Sequence, residues 1–309
     1  MLPTARPIII AHRGASGYLP EHTLAAKSMA YAMGADYLEQ DCVLSKDGHA
    51  IVLHDIYLDT VTDVANKFPD RARDDGRYYA IDLTLAEIKT LCVNERIDIE
   101  TGVPVFPNRF PKGMLRDSLT VPTLAEEIEL VQGLNQSTGR DVGIYTEIKE
   151  PEWHHQQGHD LTNAIVETLN QYGYTQRSSQ AFVQCFDADE TRRVREELQS
   201  DLKLIQLLAE PVTAEQMSSF ARFADGVGPS IDLLVTDATA TTPTVSEFTE
   251  IAHRLDMQIH PWTLRSDSLP PYARTFDDLM QFVFVTAGAD GAFSDFPDTS
   301  VEFVHRMDQ

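Results

Sequence analysis

Three acidic residues near the ends of predicted strands have the spacing of a ligand set. Glu39 and Asp41 are two residues apart in one predicted strand, and Glu147 holds a similar late position in another. Because side chains alternate across a strand, Glu39 and Asp41 share a face, and inward-pointing acids from different strands of a barrel would converge. An all-oxygen set suits Ca²⁺ or Mg²⁺ rather than Zn²⁺. The spacing is equally consistent with an internal salt-bridge network that includes Arg13 and Lys149.

Two histidines, His12 and His54, directly follow apolar strands. A histidine gives or takes a proton near neutral pH, and one on each side of a reacting centre supplies an acid and a base. A single histidine at a strand end is usually an ordinary polar residue, but two beside a carboxylate cluster favour catalysis. Asp55 could orient the ring of His54, although neighbouring residues of a strand usually point apart.

The charge of the chain restricts its partners. The 309 residues carry a formal net charge of −23, with 42% hydrophobic and 24% charged residues. This field repels nucleic acid and anionic bilayers, so neither nucleic-acid binding nor stable membrane association is expected. An anionic small substrate would need local positive charge, which Arg13 and Lys149 offer; an arginine can grip phosphate oxygens with two hydrogen bonds.

The chain has no apolar segment of 18 residues and no basic segment followed by an apolar core. We therefore expect neither a transmembrane helix nor a signal peptide, and a cytoplasmic location if the chain is full length. The sequence does not indicate an oligomeric state. The three cysteines, Cys42, Cys92 and Cys185, form no disulfide framework and are predicted to be small buried apolar residues.

Several other polar and aromatic residues could have either a functional or a structural role. Gln184 and Trp262, late in their strands, would line a pocket or belong to the core. His22 precedes a helix and is predicted to be a turn or cap residue. A group of histidines after Pro151 resembles a metal cluster, but its polar surroundings predict a solvated loop; its members are His154, His155 and His159.

Alternating strand and helix patterns predict the architecture. Eight strand–helix units in one chain of this length favour a (β/α)8 TIM barrel, an α/β fold. A doubly wound open sheet would need a glycine-rich phosphate loop after its first strand, and the segment 14–17 does not match that pattern. The predicted barrel strands begin near residues 8, 37, 143, 181, 202, 225, 258 and 291. A capping box of Thr123 and Glu126 predicts a helix start between two of them.

One segment departs from a plain barrel. Residues 56–120, after the second strand, are rich in Asp, Arg, Pro and Tyr and contain one clear helical pattern, at 84–91. Long irregular segments inside compact domains usually form lids or small subdomains. We therefore predict a single domain, 1–309, with a cap at 56–120 over the C-terminal mouth of the barrel, where active sites of this fold lie.

Four motifs together resemble those of the glycerophosphodiester phosphodiesterase family, most closely its bacterial periplasmic branch. They are His12-Arg13-Gly14, Glu39-Gln40-Asp41, Leu53-His54-Asp55 and Glu147-Ile148-Lys149, and the likeness extends through 71–82, 184–189, 260–263 and 293–297. The resemblance implies a TIM barrel with an inserted cap, and it implies a periplasmic location.

By the same resemblance, each candidate residue has an expected role. Glu39, Asp41 and Glu147 would bind one divalent cation, with Ca²⁺ favoured over Mg²⁺. His12 and His54 would be the acid–base pair, and Arg13 and Lys149 the phosphate contacts. The remaining substrate contacts would be Glu21, Gln184 and Trp262.

The expected function is metal-dependent hydrolysis of small glycerophosphodiesters, such as glycerophosphocholine and glycerophosphoethanolamine, to sn-glycerol 3-phosphate and an alcohol. Two alternatives stay open. A glycoside hydrolase could use paired carboxylates in a barrel, but it would not need a metal or two histidines at the mouth. A non-catalytic barrel could bind phosphodiesters without turnover, although the intact histidine and carboxylate sets argue against it.

Overall fold

Eight parallel strands form a barrel in the computed structural model, which describes residues 6–107, 109 and 118–307. A ninth strand, β3, pairs antiparallel with β2 outside the ring. The strands are β1 (Ile8–Ala11), β2 (Tyr37–Leu44), β3 (Ala50–Val52), β4 (Gly143–Ile148), β5 (Ala181–Cys185), β6 (Lys203–Leu208), β7 (Gly226–Pro229), β8 (Gln258–Ile259) and β9 (Gly291–Ser294). The ring order is β8-β7-β6-β5-β4-β2-β1-β9. The predicted TIM barrel is confirmed.

The ring closes between β8 and β9 through a short, irregular pairing. The strand predicted to begin near residue 258 is regular only over Gln258–Ile259. Pro261 has no N–H to donate, which interrupts the ladder. The carbonyl of Pro261 still accepts from the N–H of Phe293 at 3.0 Å, and the N–H of Leu264 donates to the carbonyl of Phe293 at 2.8 Å.

Helices cover the outside of the barrel, and most begin at a side-chain cap. The helices are α1 (Leu24–Ala32), α2 (Val64–Lys67), α3 (Leu85–Ile88), α4 (Leu124–Thr138), α5 (Pro151–Gln156), α6 (Leu161–Gln171), α7 (Ala188–Glu196), α8 (Ala214–Phe220), α9 (Phe248–Arg254), α10 (Phe276–Met280) and α11 (Pro297–Met307). The capping box predicted at Thr123 and Glu126 is present at the start of α4. After α10 the chain continues as a π-helical turn, Gln281–Thr286.

The segment predicted as a cap, 56–120, is described except for residues 108 and 110–117, which lie outside the described residues. Its helices α2 and α3 are single turns, so the helix predicted at 84–91 is shorter than expected. Its apolar side chains, including Leu58 and Leu83, pack with Val43 and Ile51 of β2 and β3. The segment is therefore anchored on the strand pair that carries Glu39 and Asp41.

An aromatic cluster fills the barrel below the acidic residues. The rings of Tyr145 and Phe182 stack with centroids 4.7 Å apart, and the hydroxyl of Tyr145 lies 2.9 Å from Nδ1 of His260. Such layers of inward side chains make the barrel a packed core rather than a pore. The predicted burial of Cys42, Cys92 and Cys185 is observed. Among the described residues, no helix has the length and apolar character needed to cross a membrane.

Candidate active site

The strand register brings the acidic residues together. Asp41 of β2 is the register partner of Glu147 of β4, and Glu147 is the partner of Gln184 of β5. Glu39 lies two residues before Asp41 and therefore shares its inward face. One carboxylate oxygen from each of Glu39, Asp41 and Glu147 lies within 4.8 Å of the others.

A cleft of about 500 Å³ opens above these carboxylates. Nine of the ten residues predicted for the site line it, together with apolar side chains on one wall. The nine are His12, Arg13, Glu39, Asp41, His54, Glu147, Lys149, Gln184 and Trp262; the apolar ones include Phe186, Leu207 and Phe293.

The carboxylate group is suited to a hard cation. Oδ1 of Asp41 is buried and has no hydrogen-bond partner. Burial, followed by repulsion from Asp41, raises the pKa of Glu39, and burial also raises the pKa of Glu147 despite the neighbouring Lys149. Three buried acids, two of which resist ionisation, and one unpartnered carboxylate oxygen have the donor chemistry of a Ca²⁺ or Mg²⁺ site.

His12 is held by a carboxylate from the far end of the chain. Its Nδ1 lies 2.6 Å from Oδ1 of Asp295, just after β9, and its Nε2 lies 3.9 Å from Oε2 of Glu39. Burial lowers the pKa of His12, but the negative charges of Glu39 and Asp295 outweigh burial and leave the pKa raised. The ring is therefore biased toward the protonated form that an acid needs.

His54 has the opposite electrostatic surroundings. Burial, and then the positive charge of Arg13, lower its pKa to about 4, so the ring is neutral at neutral pH. Its Nδ1 lies 2.5 Å from Oδ1 of Asp55, whose other oxygen accepts a 2.6 Å hydrogen bond from Arg96. Asp55 can orient the ring of His54, as the sequence allowed, because the chain bends after β3 and no longer alternates as a strand.

Arg13 is positioned by a tight turn after β1. Its φ is 57°, in the left-handed region, and the next residue, Gly14, has a φ of 86° and lies so close to Ala26 that a Cβ would clash. Only glycine adopts that conformation without strain. The backbone N–H of Arg13 donates to Oε2 of Glu39 at 2.8 Å, so this turn also fixes one carboxylate.

Lys149 follows β4 on the same face as Glu147. Its Nζ lies 2.7 Å from Oε1 of Glu147 and 5.8 Å from the ring centroid of Phe186. Burial lowers its pKa, but Glu147 and Asp41 more than offset burial and leave the pKa raised. Lys149 therefore stays charged beside the cleft.

Glu21 is the one predicted site residue that does not line the cleft. It borders an adjoining cavity of about 530 Å³, together with Arg96 and other residues of the segment 56–120. The guanidinium of Arg96 donates to both oxygens of Glu21, at 2.7 and 2.9 Å, and Arg13 approaches to 3.2 Å. These contacts hold Arg13 in place; a direct substrate contact of Glu21 stays a prediction.

Gln184 and Trp262 both face the cleft, so both line a pocket. The amide of Gln184 donates to Oε1 of Glu39 at 3.0 Å. The indole N–H of Trp262 donates to the carbonyl of Gly228 at 2.9 Å, and its ring lies edge-on to Phe186. The amide therefore orients a carboxylate, and the two aromatic rings form an apolar wall.

Of two histidine predictions, the one for His154 is wrong and the one for His22 is confirmed but incomplete. His154 is buried in α5, and its Nε2 accepts a 3.2 Å hydrogen bond from the backbone N–H of Leu44, so the segment is not a solvated loop. His22 lies in the turn predicted for it, directly before Thr23, the cap of α1. It is buried with Nε2 at 2.7 Å from Oδ2 of Asp41. In both cases tertiary packing supplies a partner that the local pattern does not reveal.

The sequence did not identify four charged residues that surround the site. Asp295 contacts His12, Arg96 contacts Asp55 and Glu21, and Lys27 and Glu127 lie behind the carboxylates. Asp295 falls in the segment 293–297 that carries the family likeness, so that motif was the available signal. The other three have no local signature, because each resembles an ordinary surface charge in the sequence.

Comparison with known proteins decides the family. Residues 12–299 match the model of the Glycerophosphoryl diester phosphodiesterase family. The chain belongs to this family. It is 42% identical to a glycerophosphodiester phosphodiesterase of Haemophilus influenzae, over 96% of this chain and 89% of the relative, and 38% identical to one of Treponema pallidum, over 96% and 91%. It therefore has glycerophosphodiester phosphodiesterase activity, and the glycoside hydrolase and non-catalytic alternatives are set aside.

The fold of the family is also seen in solved structures. A phosphodiesterase of Oleispira antarctica, in complex with the product sn-glycerol-3-phosphate, superposes with a TM-score of 0.67 at 21% identity, over 97% of each chain. At this identity the likeness supports the shared barrel fold, which is the fold described above.

Proposed function

We propose that this glycerophosphodiester phosphodiesterase hydrolyses small substrates such as glycerophosphocholine and glycerophosphoethanolamine, giving sn-glycerol 3-phosphate and an alcohol. The observation that carries the proposal is the cleft, which is lined by three carboxylates and by two histidines whose pKa values are shifted in opposite directions. The product bound in the Oleispira antarctica protein is the one expected from such a reaction.

The proposed cofactor is one divalent cation, with Ca²⁺ favoured over Mg²⁺, held by Glu39, Asp41 and Glu147. When bound, the cation would neutralise part of the diester's charge and act as a Lewis acid. Arg13 and Lys149 add two fixed positive charges at the same cleft and stabilise the charge that grows on the non-bridging oxygens. These charges offset the overall field of −23, which would otherwise repel an anionic substrate.

The pKa shifts divide the acid and base roles, which the sequence leaves open. We assign His54 as the base, because it is neutral at neutral pH and its Nδ1–H is engaged by Asp55, leaving Nε2 to accept the proton of the nucleophile. His12 is the acid: its raised pKa favours the protonated ring, and its Nε2–H delivers the proton to the departing alcohol. Asp295 holds the other nitrogen.

The nucleophile is either water or the 2-hydroxyl of the substrate's glycerol, and both need the same base. The resemblance favours the intramolecular route through a cyclic phosphate, in which correct positioning supplies much of the acceleration. The segment 56–120 is proposed to act as the cap of the site, since its Arg96 joins Asp55 and Glu21 at the mouth.

Turnover of glycerophosphocholine, with sn-glycerol 3-phosphate measured by a coupled dehydrogenase, tests the proposal. Chelation should abolish activity and Ca²⁺ or Mg²⁺ should restore it; Glu147→Gln should lose activity, whereas Glu210→Gln, at an exposed position, should not. Full activity after exhaustive chelation would contradict the metal requirement. Failure to hydrolyse any glycerophosphodiester would contradict the substrate assignment.

A further inference from the structure

A lysine and a glutamate are buried together directly behind the carboxylate cluster. Lys27 of α1 and Glu127 of α4 are both fully buried, and Nζ of Lys27 lies 2.9 Å from Oε2 of Glu127. Neither residue lines the cleft. Charged side chains are rarely buried completely, and burying such a pair costs about as much free energy as its attraction returns. Stability alone therefore does not account for the pair.

The ammonium of Lys27 reaches two further groups that belong to the site. It donates to the backbone carbonyl of Glu39, and it lies 3.3 Å from Nδ1 of His22. The opposite nitrogen of that ring, Nε2, lies 2.7 Å from Oδ2 of Asp41. A continuous chain of contacts thus runs from Glu127 through Lys27 and His22 to a carboxylate of the cluster.

The direction of each hydrogen bond in this chain follows from the donors. An ammonium carries only hydrogens, so Nδ1 of His22 must accept from Lys27. A neutral ring then carries its proton on Nε2 and donates it to Oδ2 of Asp41. The other oxygen of Asp41, Oδ1, is the buried atom without a hydrogen-bond partner. The chain therefore orients the carboxylate so that one specific oxygen stays available.

We propose that Lys27, supported by Glu127, is a positioning residue that sets the tautomer of His22 and thereby holds Asp41 for cation binding. The role rests on the proposed function, in which Asp41 is a cation ligand. Groups that orient metal ligands in this way typically change metal affinity by about 10- to 100-fold when they are removed. The hydrogen bond from Lys27 to the backbone carbonyl of Glu39 also fixes β2, the strand that carries Asp41.

The first test compares cation affinity in matched variants. The double variant Lys27→Met/Glu127→Met removes the donor to His22 without leaving an unpaired buried charge. Calorimetric titration of metal-free protein with Ca²⁺ should show affinity about 10- to 100-fold weaker than in the wild type. The control is Lys89→Met/Glu126→Gln, which removes a partly exposed 2.7 Å pair between Lys89, directly after α3, and Glu126 of α4, and it should leave affinity unchanged.

The second test reads the tautomer directly. In the ¹⁵N spectrum of histidine-labelled wild-type protein, assigned with His22→Gln, the ring of His22 should be neutral and protonated on Nε2. In the double variant it should become a mixture of tautomers. Merely structural damage would not convert one tautomer into a mixture while the fold, checked by circular dichroism, is retained.

The outcomes separate the two proposals. Wild-type protein that does not bind Ca²⁺ would overturn the proposed cation site, and the positioning role with it. Wild-type binding with equal affinity in the double variant would overturn the positioning role alone. Should the double variant not fold, the wild-type spectrum decides, since a His22 protonated on Nδ1 or on both nitrogens contradicts the proposed chain.

Discussion

His12 and Asp295 are separated by 283 positions in the chain, yet Nδ1 of His12 lies 2.6 Å from Oδ1 of Asp295. The contact exists because β1 and β9 are neighbours in the barrel, with Ala11 and Ser294 in register. The first and last strands thus together position one member of the proposed acid–base pair. The other member, His54, is positioned beside Asp55 by a bend in the chain.

Asp295→Asn should shift the pH profile of catalysis. The carboxylate of Asp295 raises the pKa of His12, both by its charge and by its hydrogen bond. Its loss lowers that pKa, and because the acid must be protonated, the alkaline limb of the kcat–pH profile should move to lower pH. Profiles measured over pH 5–10 with glycerophosphocholine check this; an unmoved alkaline limb would rule out His12 as the acid.

Replacing either of the proposed catalytic histidines should lower kcat without unfolding the protein. His12→Ala and His54→Ala should each lower kcat by about 10²- to 10⁴-fold, the usual contribution of general acid–base catalysis. His305→Ala, an exposed histidine near the end of α11, is the matched control and should keep wild-type kcat. Near-normal turnover in both site variants would remove the acid–base assignment.

Ca²⁺ binding should release protons, and affinity should rise with pH. Burial and repulsion within the cluster raise the pKa of Glu39 and of Glu147, so the metal-free protein retains protons that the unfolded chain would already have lost. A cation binds the ionised carboxylates and displaces those protons. Titration calorimetry in two buffers of different ionisation enthalpy counts them. Identical apparent enthalpies in both buffers would contradict the prediction.

Breaking the buried pair on one side should destabilise the fold in a pH-dependent manner. Lys27→Met leaves the carboxylate of Glu127 buried alone, at a cost of about 3–5 kcal/mol in the free energy of unfolding. Burial already raises the pKa of Glu127 to about 7, and Lys27 opposes that rise. Without Lys27 the pKa rises further. The loss of stability should therefore be large above pH 7 and smaller near pH 5, where the folded state can protonate Glu127.

Denaturant unfolding at pH 5 and pH 8 measures this difference. The variant Lys27→Met/Glu127→Met serves as control, because it leaves no unpaired charge and its stability should depend less on pH. A Lys27→Met variant equally destabilised at both pH values would show that lost packing, rather than an uncompensated carboxylate, is responsible.

The architecture and most of the residues that line the site could be predicted from the sequence. The two-residue period of a strand puts Glu39 and Asp41 on one face, and Thr123 with Glu126 marks a helix start; these depend only on neighbouring residues. The alternation of strands and helices then implies a barrel, and a barrel collects strand ends at one mouth. The structure agrees with each of these steps.

The hydrogen-bond and ion-pair partners of the site residues became visible only in the tertiary structure. Nothing near His12 in the sequence indicates Asp295, and Lys27 and Glu127 look like exposed helix charges until α1 and α4 pack against the barrel. The same holds for His154, which is buried rather than solvated. Local patterns report which face a side chain takes, whereas hydrogen-bond partners and desolvation depend on contacts between segments far apart in the chain. Those contacts shift the pKa values on which the proposed acid and base roles depend.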